Sequence, residues 1–182
     1  MPILTAVVVV VGVLCVLDLL LTFGVVRRLR EHTALLSDVS VPDSPIMSLV
    51  PGETPAPFSA MTTDGVTIDS TAGLRIVAFF SSSCSICPER APMFVDYLAK
   101  YRMPSQQALA VVIGHDEKPA PYLGMLQKVA RVCVESHGGP IGKAFQVTGF
   151  PAFALLDEHG DVVATDYVPG RLPEPGRELA VK

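Results

Sequence analysis

The residues with the clearest capacity for chemistry are Cys84-Ser85-Ile86-Cys87, two of the four cysteines in a chain of 182 residues. They fall where an apolar strand-like run, RIVAFFS (75–81), gives way to a helical pattern. The amides at a helix N-terminus have no partners within the helix, and the local dipole is positive. A thiolate placed there is stabilised and its pKa falls. Two intervening residues let a disulfide close without moving the backbone. Cys84, at the exposed edge of the turn, is predicted to attack a substrate disulfide. Cys87, within the first helical turn, is predicted to resolve the mixed disulfide. This chemistry requires neither a metal nor an organic cofactor.

The same pair could be half of a zinc site, but that needs two further ligands at suitable spacing. Cys133, His115, His137 and His159 offer no second tight pair. Two inert buried cysteines are the other bland reading, and the strand–CxxC–helix context favours redox chemistry over both. Cys133, in Val132-Cys133-Val134, reads as packing in a half-buried strand, and Cys15, in an apolar run, as filler. His115-Asp116 falls in a loop after a strand end, and His137-Gly138-Gly139 and His159-Gly160 read as turns.

The elements that must position the pair alternate in period. Phe58–Ile68 reads as a hairpin around Asp64-Gly65, and Arg75–Ser81 as a strand buried on both faces. Ile86–Tyr101 carries Phe94, Tyr97, Leu98 and Tyr101 at helical spacing, with Pro92 expected to bend it. Ala108–Gly114 is a second buried strand, Tyr122–Arg131 a helix, Arg131–Val134 a short strand and Pro140–Phe145 a short helix. Ala152–Asp157 and Asp161–Val168 form a hairpin across Glu158-His159-Gly160. Such alternation, closed by an antiparallel hairpin, predicts a three-layer α/β domain with a mixed central sheet.

The rest of the chain has a different composition. A net charge of −4 excludes a protein built to hold nucleic-acid phosphates, and 49% hydrophobic residues exclude a disordered chain. The mean hydropathy of +0.44 exceeds what a soluble domain of this size needs. The excess lies at Ile3–Val26, where 19 of 24 residues are hydrophobic. About 20 helical residues cross a bilayer core, so this run predicts an uncleaved single-pass anchor and a cell-membrane location. Arg27, Arg28 and Arg30 follow it directly and would place the remainder on the cytoplasmic side. Within the run, Gly12, Cys15, Asp18 and Thr22 form a stripe of small and polar residues, a candidate contact with a membrane redox partner or a second copy. Residues 1–36 are thus expected to be anchor and juxtamembrane helix, and 37–57, rich in proline, an extended linker. Residues 58–182 should form one folded domain.

The segment AFFSSSCSICPERAP resembles the active-site segment of membrane-tethered thioredoxin-like proteins of the TlpA/ResA type. The run from Gly139 through Ala144-Phe145, Val147 and Gly149-Phe150-Pro151 to Asp157-Glu158-His159-Gly160-Asp161 is similar to their C-terminal half. Within that group, F-x-S-x-x-C-x-x-C is nearest the MauD-like branch, accessory proteins linked to disulfide formation in amine dehydrogenase maturation. The resemblance implies a thioredoxin-like fold, a thiol–disulfide oxidoreductase activity and an extracytoplasmic domain, opposite to the charge rule. It also implies a client protein carrying a cysteine pair or disulfide. By position, Cys84 matches the attacking cysteine and Cys87 the resolving one. Pro151 matches a cis proline facing the disulfide, and Phe150 presents its backbone as an edge for a substrate strand.

The departures from the pattern are local. Ser83 and Phe80 stand where tryptophans are usual, and the chain has no Trp at all. Ala78 replaces the buried acid of thioredoxin itself, and Arg90 a usual Glu, with Glu89 adjacent. Proton transfer is therefore expected to use water or Glu89. Two further classes share this kind of fold. A peroxiredoxin-like peroxidase expects P-x-x-x-T/S-x-x-C, where Ser81 fits but Val77 replaces the proline. A non-catalytic copper carrier expects C-x-x-x-C, and the spacing here is one residue short.

Overall fold

The computed structural model describes residues 46–114 and 120–176 of the larger of two compact units, 44–182, and Gly12 of the smaller, 1–43. The predicted anchor at 3–26, with Cys15, Asp18, Thr22 and the arginines after it, lies outside the described residues. So does His115. Among the described residues, no helix is long and apolar enough to cross a membrane.

Among the described residues, the larger unit has seven strands and three α-helices: β1 (Ser59–Met61), β2 (Thr67–Asp69), β3 (Ile76–Ser81), α1 (Cys87–Lys100), β4 (Ala108–Ile113), α2 (Leu123–Leu126), β5 (Arg131–Glu135), α3 (Pro140–Ala144), β6 (Ala152–Leu156) and β7 (Val162–Asp166). The central sheet has the order β5-β4-β3-β6-β7. Strands β3, β4 and β5 are parallel, Ile76 pairing with Ala108 and Leu109 with Arg131, whereas β6 and β7 run antiparallel. Parallel neighbours need crossovers, and the helical segments between β3, β4 and β5 supply them.

Strands β3, β4 and β6 are buried along their whole length, so alternate residues feed two cores. Ile76, Ala78 and Phe80 face one side, with Phe94, Tyr97 and Leu98 of α1 and Leu126 of α2. Val77 and Phe79 face the other, with Ile141 and Phe145 from the α3 region and with Phe58 and Ile68 from the β1–β2 hairpin. Each large side chain so buried contributes about 1.5–3 kcal/mol. The predicted three layers and mixed sheet are present.

Two boundaries differ from expectation. Residues 46–57 are not a free linker: Met47 and Leu49 are 2% and 4% exposed, and Met47 bridges Val147. The prolines exclude regular structure there, but they do not prevent the apolar side chains between them from entering the core. The helix expected over Tyr122–Arg131 is regular only at Leu123–Leu126. Beyond it residues 127–130 close in turns, with Val129 and Ala130 N–H both donating to the Leu126 carbonyl, and the expected strand follows at Arg131–Glu135, paired with β4. By contrast α1 runs unbroken across Pro92, which sits on its exposed side, where the unpaired Pro88 carbonyl can be hydrated.

Both longer helix ends close in the same way. After α1, Arg102 N–H donates to the Ala99 carbonyl and Met103 N–H to that of Leu98. After α3, Gln146 N–H donates to the Lys143 carbonyl and Val147 N–H to that of Gly142. These are Schellman turns, and the residue in the left-handed conformation is Arg102 (φ 49°) or Gln146 (φ 50°) where glycine is usual. An L side chain pays a steric cost there that glycine avoids. Arg102→Gly and Gln146→Gly should each raise unfolding stability by about 0.5–1 kcal/mol, net of glycine's larger unfolded-state entropy. A urea titration showing either variant less stable than the parent would contradict this.

Candidate active site

Strand β3 ends at Ser81, and two residues, Ser82 and Ser83, carry the chain to Cys84. The turn is held mostly by backbone. Ser82 N–H donates to the Ile113 carbonyl (3.0 Å), and Cys84 N–H donates to the Ser81 carbonyl (3.1 Å). That carbonyl also accepts the hydroxyl of buried Tyr122 at 2.9 Å. Burial holds the Tyr122 hydroxyl up at about 12, so it remains a donor throughout the physiological range. Gly114, at the end of β4, is required by close approach: a Cβ there would lie 2.9 Å from Ser82 Cβ. The hydroxyls of Ser81 and Ser83 are 3.0 Å apart.

Cys84 and Cys87 are joined in a disulfide with their Cα atoms 5.4 Å apart. Cys87 is fully buried at the start of α1, whereas Cys84 is half-buried. No side chain caps α1. Cys87 N–H instead donates to Cys84 Sγ at 3.2 Å, so a sulfur takes the place of the missing cap. Pro88 in the first turn costs no hydrogen bond, since its N–H would have lacked a helical acceptor. When the disulfide is opened, negative charge on Cys84 Sγ would meet this amide and the positive end of a 14-residue helix.

The second wall comes from far along the chain. The Phe150–Pro151 peptide is cis, Pro151 is buried, and the Phe150 carbonyl oxygen lies 3.6 Å from Cys84 Sγ. The four residues singled out in the sequence, Cys84, Cys87, Phe150 and Pro151, are therefore brought together at one end of the sheet. His137, in the turn after β5, places its ring 6.4 Å from that of Phe150.

The absent tryptophans leave distinct traces. Ser83 is exposed and puts no ring beside the disulfide. Phe80 is a core residue, packed at 5.4–6.1 Å between ring centroids against Phe94, Tyr122 and Phe153. Ala78 is fully buried and brings no acid. Arg90 lies one helical turn after Cys87, donates to Met93 Sδ and buries Nε without a hydrogen-bond partner. Glu89 is exposed.

The remaining candidates stand apart. His159 is exposed beside Asp157, 3.8 Å from Nδ1 to Oδ2. Among the described residues, no three histidine, cysteine or acidic side chains group as a metal site. Cys133 is fully buried in β5, and burial, with the Glu135 carboxylate nearby, pushes its thiol up to about 12. Two contributors were missed in the sequence. Tyr122 read as one helix residue among others, and Glu135 fell just past the strand expected over Arg131–Val134. The Glu135 carboxylate accepts the amides of Ile141 and Gly142 at 3.0 and 3.1 Å, capping α3. The short Glu135-to-Pro140 spacing, with glycines at 138 and 139, was the available signal; a Cβ at Gly139 would clash with this carboxylate.

After mild reduction at pH 8, a thiol reagent should label Cys84 first and leave Cys133 unmodified until the protein is denatured. Peptide mapping of the alkylated chain reads this, and equal labelling of the two in the folded protein would contradict the assignment.

No protein-family model matches the chain, and no curated protein sequence is significantly similar to it. Solved structures do match. The thioredoxin domain of a thiol-disulfide oxidoreductase from Bacteroides vulgatus superposes with a TM-score of 0.54 at 17% identity, covering 65% of this chain and 89% of that one. A thio-disulfide isomerase from Thermus thermophilus gives 0.51 at 18% identity, covering 65% and 86%. The fold of the larger unit, as its described residues show it, is thioredoxin-like, with Cys84–Cys87 at the head of α1 and Phe150-Pro151 facing them.

Proposed function

We propose that this protein is a membrane-tethered thiol–disulfide oxidoreductase that exchanges a dithiol for a disulfide with a protein client. The observation that carries the reading is the half-buried Cys84 sulfur. It is bonded to buried Cys87, receives the Cys87 amide at 3.2 Å and sits 3.6 Å from the Phe150 carbonyl. A sulfur on a half-buried residue, with an electrostatic reason to be a thiolate and beside a backbone edge, suits attack on a client held in extended form.

In the reducing direction, the Cys84 thiolate attacks one sulfur of the client disulfide. That S–S bond breaks, the first client thiolate takes a proton from water, and a Cys84–client mixed disulfide forms. Cys87, deprotonated through water or Glu89, attacks Cys84 Sγ. The mixed disulfide breaks, the second client thiol leaves, and Cys84–Cys87 closes. Two electrons and two protons pass to the client, and the reverse sequence oxidises a client dithiol. Buried Cys87 is reached only by Cys84 or by a sulfur already joined to it, which fixes the order of the two attacks. With Ala78 in place of a buried acid and Ser83 in place of an aromatic wall, the pair should have a potential different from thioredoxin's, about −270 mV.

The apolar run at Ile3–Val26 supports single-pass tethering, and Gly12, Cys15, Asp18 and Thr22 on it supply a face for a membrane redox partner. The F-x-S-x-x-C-x-x-C spacing supports kinship with the MauD-like branch and hence a role in forming or correcting disulfides of a client enzyme. The fold likeness to a thiol-disulfide oxidoreductase domain agrees with the exchange reading.

Cys87→Ser should accumulate mixed disulfides through Cys84 in cells, and Cys84→Ser should accumulate none; non-reducing gels and mass spectrometry of captured partners read both. Rapid peroxide consumption, or stoichiometric copper binding with no captured partner, would instead support a peroxidase or a copper carrier. For the membrane face, a membrane-impermeant thiol reagent applied to intact cells after mild reduction should label Cys84 if the domain is extracytoplasmic. Labelling only after lysis would place it in the cytoplasm, as Arg27, Arg28 and Arg30 direct.

A further inference from the structure

The loop that presents Phe150 is held from two sides. On one side is the closure of α3, where Gln146 and Val147 donate to the Lys143 and Gly142 carbonyls. On the other is the segment Ile46–Leu49, which runs antiparallel to the loop. Met47 bridges Val147, and Ser48 N–H donates to the Gln146 carbonyl at 3.1 Å. The amides of Thr148 and Gly149 both donate to the Ile46 carbonyl, at 2.9 and 3.2 Å. Met47 and Leu49 are buried in the core beneath, and Ile46 and Phe150 both pack against that core. The last of these hydrogen bonds ends at Gly149. The next residue is Phe150, whose carbonyl faces Cys84 Sγ.

We infer that Ile46–Leu49 is a positioning strand for the client-binding edge, holding the Phe150 backbone in register with Cys84. A client segment that pairs with this edge gains its hydrogen bonds only if the edge is already fixed. An edge that must first be ordered weakens binding by the cost of ordering it. The pair Cys84–Cys87 is held separately, by β3, Tyr122 and α1, so the inference predicts a defect in client binding with the disulfide chemistry left intact. The chain just downstream has its own attachments, Gly52 and Glu53 to Val162 and Ala56 to Ala144. Releasing 46–49 therefore need not unfold the edge of the sheet.

The inference rests on the exchange reading, and its test separates the two. The full-length chain is reduced and mixed with insulin as a protein disulfide over a range of concentrations. In parallel, the rate at which dithiothreitol reduces Cys84–Cys87 and the potential against glutathione are measured. Ser48→Pro removes one donor of the pairing, and its side chain is exposed in the parent. Ile46→Ala removes only a half-buried side chain and serves if Ser48→Pro does not fold by circular dichroism. Either variant should raise the KM for insulin by about tenfold, with the dithiothreitol rate and the potential within about twofold of the parent. An unchanged KM, or a parallel fall in the dithiothreitol rate with a shifted potential, overturns the positioning role. A parent chain inert toward insulin sinks the exchange reading, and the positioning role with it. An active parent matched by both variants sinks the positioning role alone.

Discussion

One amide sets the character of this protein. The first turn of α1 leaves N–H groups without helical acceptors, and no side chain is provided to cap them. Cys87 N–H turns to the sulfur of Cys84. The rest of the larger unit can be understood as what is needed to hold that sulfur at that helix end. Strand β3, buried on both faces, delivers the chain to Ser81 at a fixed point. The Ser81 carbonyl, shared by Cys84 N–H and the Tyr122 hydroxyl, defines the turn. Phe94, Tyr97 and Leu98 lock α1 onto the sheet so that its N-terminus cannot drift from the turn.

The opposite wall is built with less covalent economy. Phe150 and Cys84 are separated by 66 residues, yet the carbonyl of one lies 3.6 Å from the sulfur of the other. That proximity depends on β6 lying antiparallel beside β3, which brings the start of β6 to the end of β3. It also depends on the closure of α3, supported by the Glu135 carboxylate at its N-terminus and the left-handed Gln146 at its end. A site that exchanged disulfides with a chosen client would need both walls, since a reactive sulfur alone attacks any accessible disulfide.

The differences from the usual pattern change the surroundings of the sulfur and leave its support in place. Ser83, Ala78 and Arg90 remove a ring, omit an acid and add a charge within the elements that hold the pair. None of them alters the strand-to-helix junction. This is consistent with a scaffold whose architecture is fixed by the two cores and whose redox properties are adjusted at a handful of positions around the turn.

Much of this was legible in the linear chain, for reasons of local chemistry. RIVAFFS and ALAVVI read as strands because continuous apolar runs of that length have to be buried on both faces. CxxC at a strand–helix junction reads as redox chemistry because spacing and helix electrostatics are both local properties. Phe150-Pro151 was reached by resemblance, since nothing nearby in sequence relates it to residue 84. What the sequence could not reveal depended on partners far away in the chain. The helix expected from Tyr122 is regular only to Leu126, because residues 127–130 close in turns that lead the chain to the edge of β4, where Arg131 begins β5. Residues 46–57 read as a tether because their prolines are visible, whereas the groove that buries Met47 and Leu49 exists only once β6 and α3 are in place. The amino-acid order determined which sulfur could become the nucleophile and which elements would carry it. Only the tertiary structure decided what faces that sulfur, because hydrogen bonds and packing between distant segments depend on where the sheet brings them, and local propensity carries no record of that.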